Sequence, residues 1–160
     1  MTFVLKRIDM TTHLTVRDLV LLEGERRPTL NDEQQLAELM LAAYHGSPDE
    51  EEETIEQALT EIRKTFEGEH GPFLFHCSRV VERDEKIVAA ILVTGWQQRP
   101  LIAYAMTAPE WKRKGLARAA ILNTMQVVLV TGERLLSLVV TVKNEPAFAL
   151  YQGLGFVSGR

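Results

Sequence analysis

The chain has 160 residues, of which 46% are apolar and 25% are charged, and its formal net charge is −4. This length and composition fit one globular domain, and the acidic balance argues against general nucleic-acid binding. No apolar run reaches the roughly 18 residues of a membrane span, and the first residues lack a signal-peptide pattern. Cys77 is the only cysteine, which excludes an internal disulfide, so a cytoplasmic location is expected.

Residues 1–28 have the least regular pattern. Thr2–Ile8 and Leu14–Glu23 each have strand-like apolar content, and Pro28 closes the region. The pattern does not decide between an ordered strand and a loose arm. We therefore interpret residues 1–28 as an N-terminal extension or edge strand, separate from a domain formed by residues 29–160.

Two helices are predicted next. The first spans Leu30–His45, with Asn31 as its cap, and its apolar stripe is Leu36, Leu39, Met40 and Ala43. The second is predicted to start at Ser47, with an acidic first turn at residues 49–53 and a buried stripe of Ile55, Leu59, Ile62 and Phe66. The acids either attract a cationic partner or substrate, or complement the helix dipole on a solvated face. The second interpretation is favoured.

An antiparallel hairpin follows these helices. Its predicted strands are Phe73–Glu82 and Lys86–Trp96, joined at residues 83–85. His76 and Cys77 are adjacent but have no partners at metal-ligand spacing, so we predict no metal site. All four histidines are interpreted as structural or surface residues, and Cys77 as a buried strand residue.

The most informative stretch is residues 102–121. Leu101–Thr107 predicts a buried strand, and the apolar spacing from Leu116 onward predicts a helix. Between them lies a basic turn, and four positive charges fall within seven residues: Lys112, Arg113, Lys114 and Arg118. The N–H groups at a helix start lack internal partners, and Gly115 allows a bulky ligand close to the backbone. The predicted ligand is a phosphate or pyrophosphate, and the alternative is an exposed basic loop opening an ordinary amphipathic helix.

A second motif follows a predicted buried strand at residues 135–141. Its members are Asn144, Ala147, Leu150, Tyr151, Gly155 and Phe156. This spacing, at this distance from the basic turn, resembles the Gcn5-related N-acetyltransferase superfamily. The resemblance covers residues 73–158 well and residues 29–72 in general pattern. It implies an α/β (α+β) fold like that of acyl-CoA N-acyltransferases, with a mixed, mostly antiparallel sheet flanked by helices.

The resemblance also implies acetyl-coenzyme A as co-substrate, with its pyrophosphate on the backbone amides of the basic turn. Lys112, Gly115 and Ala117 match the first, fourth and sixth positions of the family motif, where Lys112 replaces the usual Arg or Gln. The strand before the turn is similar to the one that pairs with the pantetheine arm. The implied cofactor-binding residues are Ala105, Met106, Thr107, Lys112, Arg113, Lys114, Gly115, Leu116, Ala117, Arg118, Asn144, Ala147 and Tyr151.

The implied reaction is acetyl transfer to a primary amine of a small molecule or peptide. We expect the Met106 amide to stabilise the oxyanion and Tyr151 to protonate the departing thiolate, the alternative for Tyr151 being a core tyrosine. Trp96 is either a wall of the acceptor pocket or a rim tryptophan. No general base is identified: Glu82 lies at the wrong end, Tyr104 has an ordinary pKa near 10, and a water chain is as plausible.

Two other classes compete with an enzyme. A non-catalytic acyl-coenzyme A-binding regulatory or sensor module would keep the basic turn without needing Tyr151. A dinucleotide-binding domain is disfavoured, because no Gly-x-Gly-x-x-Gly follows an early strand.

The family normally continues with another strand after the position of Phe156. Here there is room for a short strand only, so an unpaired edge is predicted beside residues 135–141. That edge favours a homodimer or a swap of residues 156–160, unless the N-terminal segment covers it.

Overall fold

A computed structural model describes residues 6–158. The strands are β1 (Arg7–His13), β2 (Glu25–Arg26), β3 (Arg79–Arg83), β4 (Lys86–Trp96), β5 (Arg99–Thr107), β6 (Leu135–Thr141) and β7 (Val157–Ser158). The helices are α1 (Glu33–Tyr44), α2 (Ile55–Phe66), α3 (Leu116–Val130) and α4 (Glu145–Gly153), with single 3-10 turns at Leu30–Asp32 and Pro109–Trp111. Within this part of the chain, no helix has the length and apolar content of a membrane span.

The seven strands form one sheet in the order β2-β3-β4-β5-β6-β1-β7. Only β5 and β6 run parallel, and every other neighbouring pair is antiparallel. In β4, all residues from Ile87 to Thr94 are buried, so helices must cover both faces of the sheet. The predicted mixed, mostly antiparallel sheet flanked by helices is confirmed.

The N-terminal strand covers the edge that was predicted to be free. β1 pairs with β6 along its whole length, from Arg7 opposite Thr141 to His13 opposite Leu135. β7 then pairs with β1 at Met10 and Thr11. The prediction of an unpaired edge beside residues 135–141 is therefore wrong, and the stated reason for a homodimer or a strand swap disappears. The predictions for Thr2–Leu5 and for residues 159–160 lie outside the described residues.

Both predicted helix starts need correction. Thr29 and Asp32 form the capping box of the 3-10 turn Leu30–Asp32, and α1 follows with Asp32 at its N-cap position, so Asn31 is not the cap. α2 begins at Ile55 and is capped by Thr54 and Gln57, well after Ser47. The acids of residues 49–53 therefore form a loop before the helix, and they do not complement its first turn.

The first predicted strand of the hairpin is also shorter than expected. β3 begins only at Arg79, whereas residues 73–78 form turns and a single bridge from Phe73 to Thr94. The loop between β3 and β4 is tight, with positive φ at Asp84 and Glu85. Apolar content alone predicted a strand at residues 73–78, but the Ser78 hydroxyl donates a hydrogen bond to the Leu74 carbonyl in a turn.

Polar residues of α3 hold the segment that follows β1. The Asn123 side chain is 2% exposed. Its amide oxygen accepts from the Val20 N–H at 2.7 Å, and its nitrogen donates to the Val20 carbonyl at 2.8 Å. Gln126 binds the backbone of Arg17 and Thr15 in the same way. α3 is therefore buried on more than its predicted apolar stripe, because the N-terminal segment crosses it.

Replacing Asn123 with alanine should lower the free energy of unfolding by about 2 kcal/mol, since the half-buried Val20 backbone would lose both hydrogen-bond partners. Denaturant unfolding measures the loss. Val130→Ala is the control, because Val130 lies on the same helix and is 85% exposed, and its effect should stay within about 0.5 kcal/mol. An equal effect of both variants would show that Asn123 does not hold the segment.

Candidate functional site

The site begins where β5 and β6 separate. Their parallel pairing consists of only two positions, Leu101 with Ser137 and Ile102 with Leu138. On its other side, β5 stays paired with β4 as far as Thr107, after a register shift between Leu92 and Val93. Beyond Ile102, the edge of β5 that faces β6 therefore has no strand partner among residues 6–158, and a cleft opens between the two strands.

The register shows which backbone amides face this cleft. The Ala108 N–H donates to the Val88 carbonyl at 2.8 Å, and antiparallel hydrogen-bonded pairs alternate along a ladder. Met106, opposite Ala90, therefore directs its N–H toward β4. The N–H groups of Ala105 and Thr107 point away from β4, into the cleft. This direction contradicts the prediction that the Met106 amide stabilises the oxyanion, and it leaves the neighbouring Ala105 N–H as the one that faces the cleft at that place.

The other end of the cleft is the start of α3. Its N-cap is Gly115 at φ +81°, no side chain in the described part of the chain caps the helix, and its first turn contains no acid. The N–H groups of Leu116, Ala117 and Arg118 precede the first intrahelical bond, which Ala119 donates to Gly115 at 3.0 Å. A Cβ on Gly115 would meet no heavy atom within 4 Å, so the space beside the turn is open. These features fit a bound phosphate.

The four positive side chains of the turn have different surroundings. The Lys112 ammonium donates to the Ala43 carbonyl at 3.3 Å, which joins the turn to the end of α1. The Lys114 ammonium lies 6.0 Å from the centre of the Trp111 ring. Arg113 and Arg118 are exposed, and neither forms an ion pair within residues 6–158. The guanidinium groups are thus the cations available to an anion.

The loop between β6 and α4 forms the facing wall of the cleft. Asn144 caps α4 by accepting from the Ala147 N–H at 3.4 Å, and its amide nitrogen donates to Asp49 at 2.8 Å. The Thr141 hydroxyl donates to the same carboxylate. Asp49, one of the acids interpreted as dipole partners, thus connects the α1–α2 loop to the cleft wall. The Asn144 side chain shapes that wall.

Tyr151 lies on α4 and is 9% exposed. Its ring packs edge-on against Phe156 with centroids 6.1 Å apart, and its hydroxyl forms no hydrogen bond with the described protein groups. Burial, together with the Asp49 carboxylate, raises the pKa of Tyr151 to about 12. The hydroxyl therefore stays protonated at neutral pH and is free to donate.

A hydrogen-bonded group that the sequence did not predict lies beside β5 and consists of Tyr104, Glu61 and His70. The Tyr104 hydroxyl donates to a Glu61 oxygen at 2.5 Å, and His70 Nε2 lies 2.7 Å from the same oxygen. Burial and the Glu61 carboxylate raise the pKa of Tyr104, which argues against Tyr104 itself as a base. Glu61 and Tyr104 are 43 positions apart, and no local pattern signals such a contact.

A groove of about 420 Å³ adjoins this group. Carboxylates dominate its lining, which consists of Glu51, Glu52, Glu56, Gln57, Thr60, Glu61 and Lys64. Burial, then the neighbouring Glu51 and Glu61, raises the pKa of Glu52. The groove is thus a negatively charged surface next to Glu61.

Trp96 lies away from this cleft. It pairs with Arg99 at the hairpin end of β4 and β5, and its side chain is exposed. Arg99 is five positions before Tyr104, which corresponds to roughly 17 Å of strand. The positions at which β5 pairs with β6 lie in between. The structure does not bring Trp96 to Tyr151 or to the cleft-facing amides, so it supports the rim interpretation.

Within residues 6–158, Cys77 is neither an activated nucleophile nor part of a metal-binding group. Cys77 is buried, and burial raises the pKa of its thiol, which leaves it unactivated as a nucleophile. Within residues 6–158, no three His, Cys, Asp or Glu side chains are placed to hold a metal ion.

The sequence matches the model of the acetyltransferase (GNAT) family over residues 34–156. No curated protein matches the chain at a significant level. The fold is similar to that of a GCN5-related N-acetyltransferase from Sphaerobacter thermophilus, with a TM-score of 0.74 and 19% identity. That similarity covers 96% of this chain and 48% of the Sphaerobacter chain, so this chain spans about half of its relative.

Two shorter structures are also similar. The ribosomal-protein-S18-alanine N-acetyltransferase from Escherichia coli has a TM-score of 0.68 and 20% identity, covering 85% of this chain and 78% of its own. The paia N-acetyltransferase from Thermoplasma acidophilum, solved in complex with coenzyme A, has a TM-score of 0.64 and 19% identity. That similarity covers 83% of this chain and 88% of the Thermoplasma chain. Because the family model extends over most of the sequence, from α1 to Phe156, the chain belongs to the acetyltransferase (GNAT) family.

Proposed function

We propose that this protein transfers the acetyl group of acetyl-coenzyme A to a primary amine by direct attack in a ternary complex. The observation that carries the proposal is the cleft between β5 and β6. It runs from the unpaired amides of Ala105 and Thr107 to the uncapped start of α3. Such a cleft offers amide donors to a thioester arm at one end and an anion site at the other.

Each end of the cleft has its own task. The amides of Leu116, Ala117 and Arg118 bind the pyrophosphate, with the guanidinium groups of Arg113 and Arg118 beside them. The Thr107 amide bonds the pantetheine arm. The Ala105 amide orients the thioester carbonyl and stabilises the oxyanion that forms when the amine attacks.

The acceptor is a primary amine of a small molecule or a peptide. Amines of this kind arrive mostly as ammonium ions at neutral pH, because their ordinary pKa is near 10 for an alkyl amine and near 8 for a peptide N-terminus. The groove beside Glu61 is lined by four carboxylates and one lysine, which favours a cation. This charge supports an amine acceptor without selecting one.

Coenzyme A release from acetyl-coenzyme A tests the proposal. Suitable probes are spermidine, Nα-acetyl-lysine amide and a tripeptide with a free N-terminal alanine, each assayed by thiol detection and by mass spectrometry of the product. We expect amine-dependent thiol release with at least one probe. Acetyl-coenzyme A binding without release or product would instead support the non-catalytic acyl-coenzyme A-binding module.

Tyr151→Phe should lower turnover about tenfold, at the lower end of general-acid effects. A hydroxyl of pKa about 12 is a weaker acid than the leaving thiol, whose pKa is near 8.5, so it helps mainly by hydrogen bonding the thiolate. Since Tyr151 is protonated below its pKa, the rate of the natural protein should show no loss from this group up to about pH 11. If Tyr151→Phe turned over at the rate of the natural protein, the acid role would be contradicted, and Tyr151 would be a core tyrosine only.

A further inference from the structure

A hydrogen-bonded group connects β5 to the surface and consists of Tyr104, Glu61 and His70. Tyr104 directly precedes Ala105, whose amide we assign to the thioester carbonyl, and its hydroxyl donates to Glu61. The Glu61 side chain is 19% exposed, and the His70 side chain next to it is 45% exposed. A proton accepted near β5 thus has a continuous hydrogen-bonded route to solvent through these groups.

We propose that Glu61 is the base that takes the proton from the acceptor ammonium, with Tyr104 and His70 holding its carboxylate in place. This inference rests on the proposed function and names the base for that reaction. One N–H bond of the ammonium breaks, and the proton goes to the Glu61 carboxylate, directly or through the Tyr104 hydroxyl, which donates its own proton onward. The neutral amine then forms the C–N bond, and the attached nitrogen loses its second proton to solvent as the C–S bond breaks. The thiolate takes a proton from Tyr151 or water, and Tyr151 regains its proton from solvent.

The surroundings separate Glu61 from the other candidates. Tyr104 does not titrate at neutral pH, and Glu82 lies on β3, two strands away from β5, where Arg26 of the edge strand β2 donates to it at 2.5 Å. The charged groups that line the groove with Glu61 are Glu51, Glu52, Glu56 and Lys64. Of these carboxylates, Glu61 alone forms a hydrogen bond with a side chain of β5 within the described residues.

A purely structural bridge is the alternative. Glu61 joins α2, β5 and the segment after α2, and its loss could lower activity by displacing Tyr104. The two roles differ in their response to pH. As pH rises toward the pKa of the probe amine, about 10.4 for a lysine side chain and about 8 for a peptide N-terminus, more acceptor arrives already neutral, and the need for a base falls.

The experiment compares Glu61→Gln with the natural protein, from about pH 6 to about pH 10, with the probe amine that the natural protein acetylates fastest. We expect turnover to fall at least about tenfold at neutral pH and the deficit to shrink steadily as pH rises. Acetyl-coenzyme A affinity and melting temperature should stay unchanged. Glu67→Gln removes a carboxylate from the exposed C-cap of α2, outside the groove and without touching Tyr104 or His70, and its turnover should stay within about twofold of the natural protein.

A deficit that is absent, or constant across the pH range, would overturn the role of Glu61 while leaving the acetyltransferase activity in place. If the natural protein releases no coenzyme A with any probe amine, the proposed function fails, and this inference fails with it. If Glu61→Gln does not fold, His70→Ala serves instead. It should lower turnover several-fold with the same pH trend, and wild-type turnover in that variant would count against the proton route.

Discussion

Gly115→Val should weaken acetyl-coenzyme A binding at least about a hundredfold, which corresponds to about 2.7 kcal/mol. Gly115 stands at φ +81° immediately before α3, where its missing side chain leaves the turn open to a ligand. A valine there would place two methyl groups between the phosphate and the amides of residues 116–118. It would also strain the left-handed backbone and turn the first N–H groups away from the ligand. Isothermal calorimetry with acetyl-coenzyme A measures the change.

Gly132→Val provides a matched control for backbone strain. Gly132 has φ +100°, follows the other end of α3, and a Cβ on it would also meet no heavy atom within 4 Å. The two variants should therefore lose similar stability, by a strain of about 1–3 kcal/mol, while only Gly115→Val loses the ligand. Equal affinities of the two variants would show that the pyrophosphate does not lie at the start of α3.

Strong local signals allowed much of the fold to be predicted from the sequence. The strand at residues 135–141, the helix from Leu116 and the strand ending at Thr107 have long apolar patterns, and the structure confirms them. The position of β1 between β6 and β7 was not predictable, because pairing depends on partners more than 120 residues away, such as Thr11 with Ser137. The start of α2 was misplaced, because both Ser47 and Thr54 satisfy local capping rules.

The site was predictable only where a motif marks it. The basic turn and Tyr151 carry recognisable spacing, whereas Glu61, His70 and Asp49 acquire their contacts through tertiary packing. Successive N–H groups along β5 point alternately toward β4 and toward the cleft. An error of one residue in the pairing therefore reverses the direction assigned to each amide. The sequence does not show which residues of β5 bond to β4, so it led to Met106. The pairing in the structure points to Ala105 instead.

Ala105→Pro should lower turnover about a hundredfold with little loss of stability, because removal of one oxyanion donor typically costs that much. Proline lacks an N–H, and the Ala105 N–H points into the cleft and takes no part in the ladder with β4. The preceding residue, Tyr104, is in an extended strand, which proline requires of its predecessor. Steady-state turnover with a probe amine, measured beside the melting temperature, checks the result.

Met106→Pro distinguishes the assignment of the Ala105 amide to the cleft from the alternative, in which the Met106 amide faces the cleft. Met106 is 1% exposed, and its N–H faces Ala90, so proline there removes a ladder bond in the centre of the sheet. It should cost about 3 kcal/mol or more of stability, in contrast to Ala105→Pro. If the Met106 amide faced the cleft, the two results would be exchanged: Met106→Pro would fold and lose turnover, and Ala105→Pro would unfold. The pair of variants thus measures, one residue apart on the same strand, which amide meets the developing negative charge.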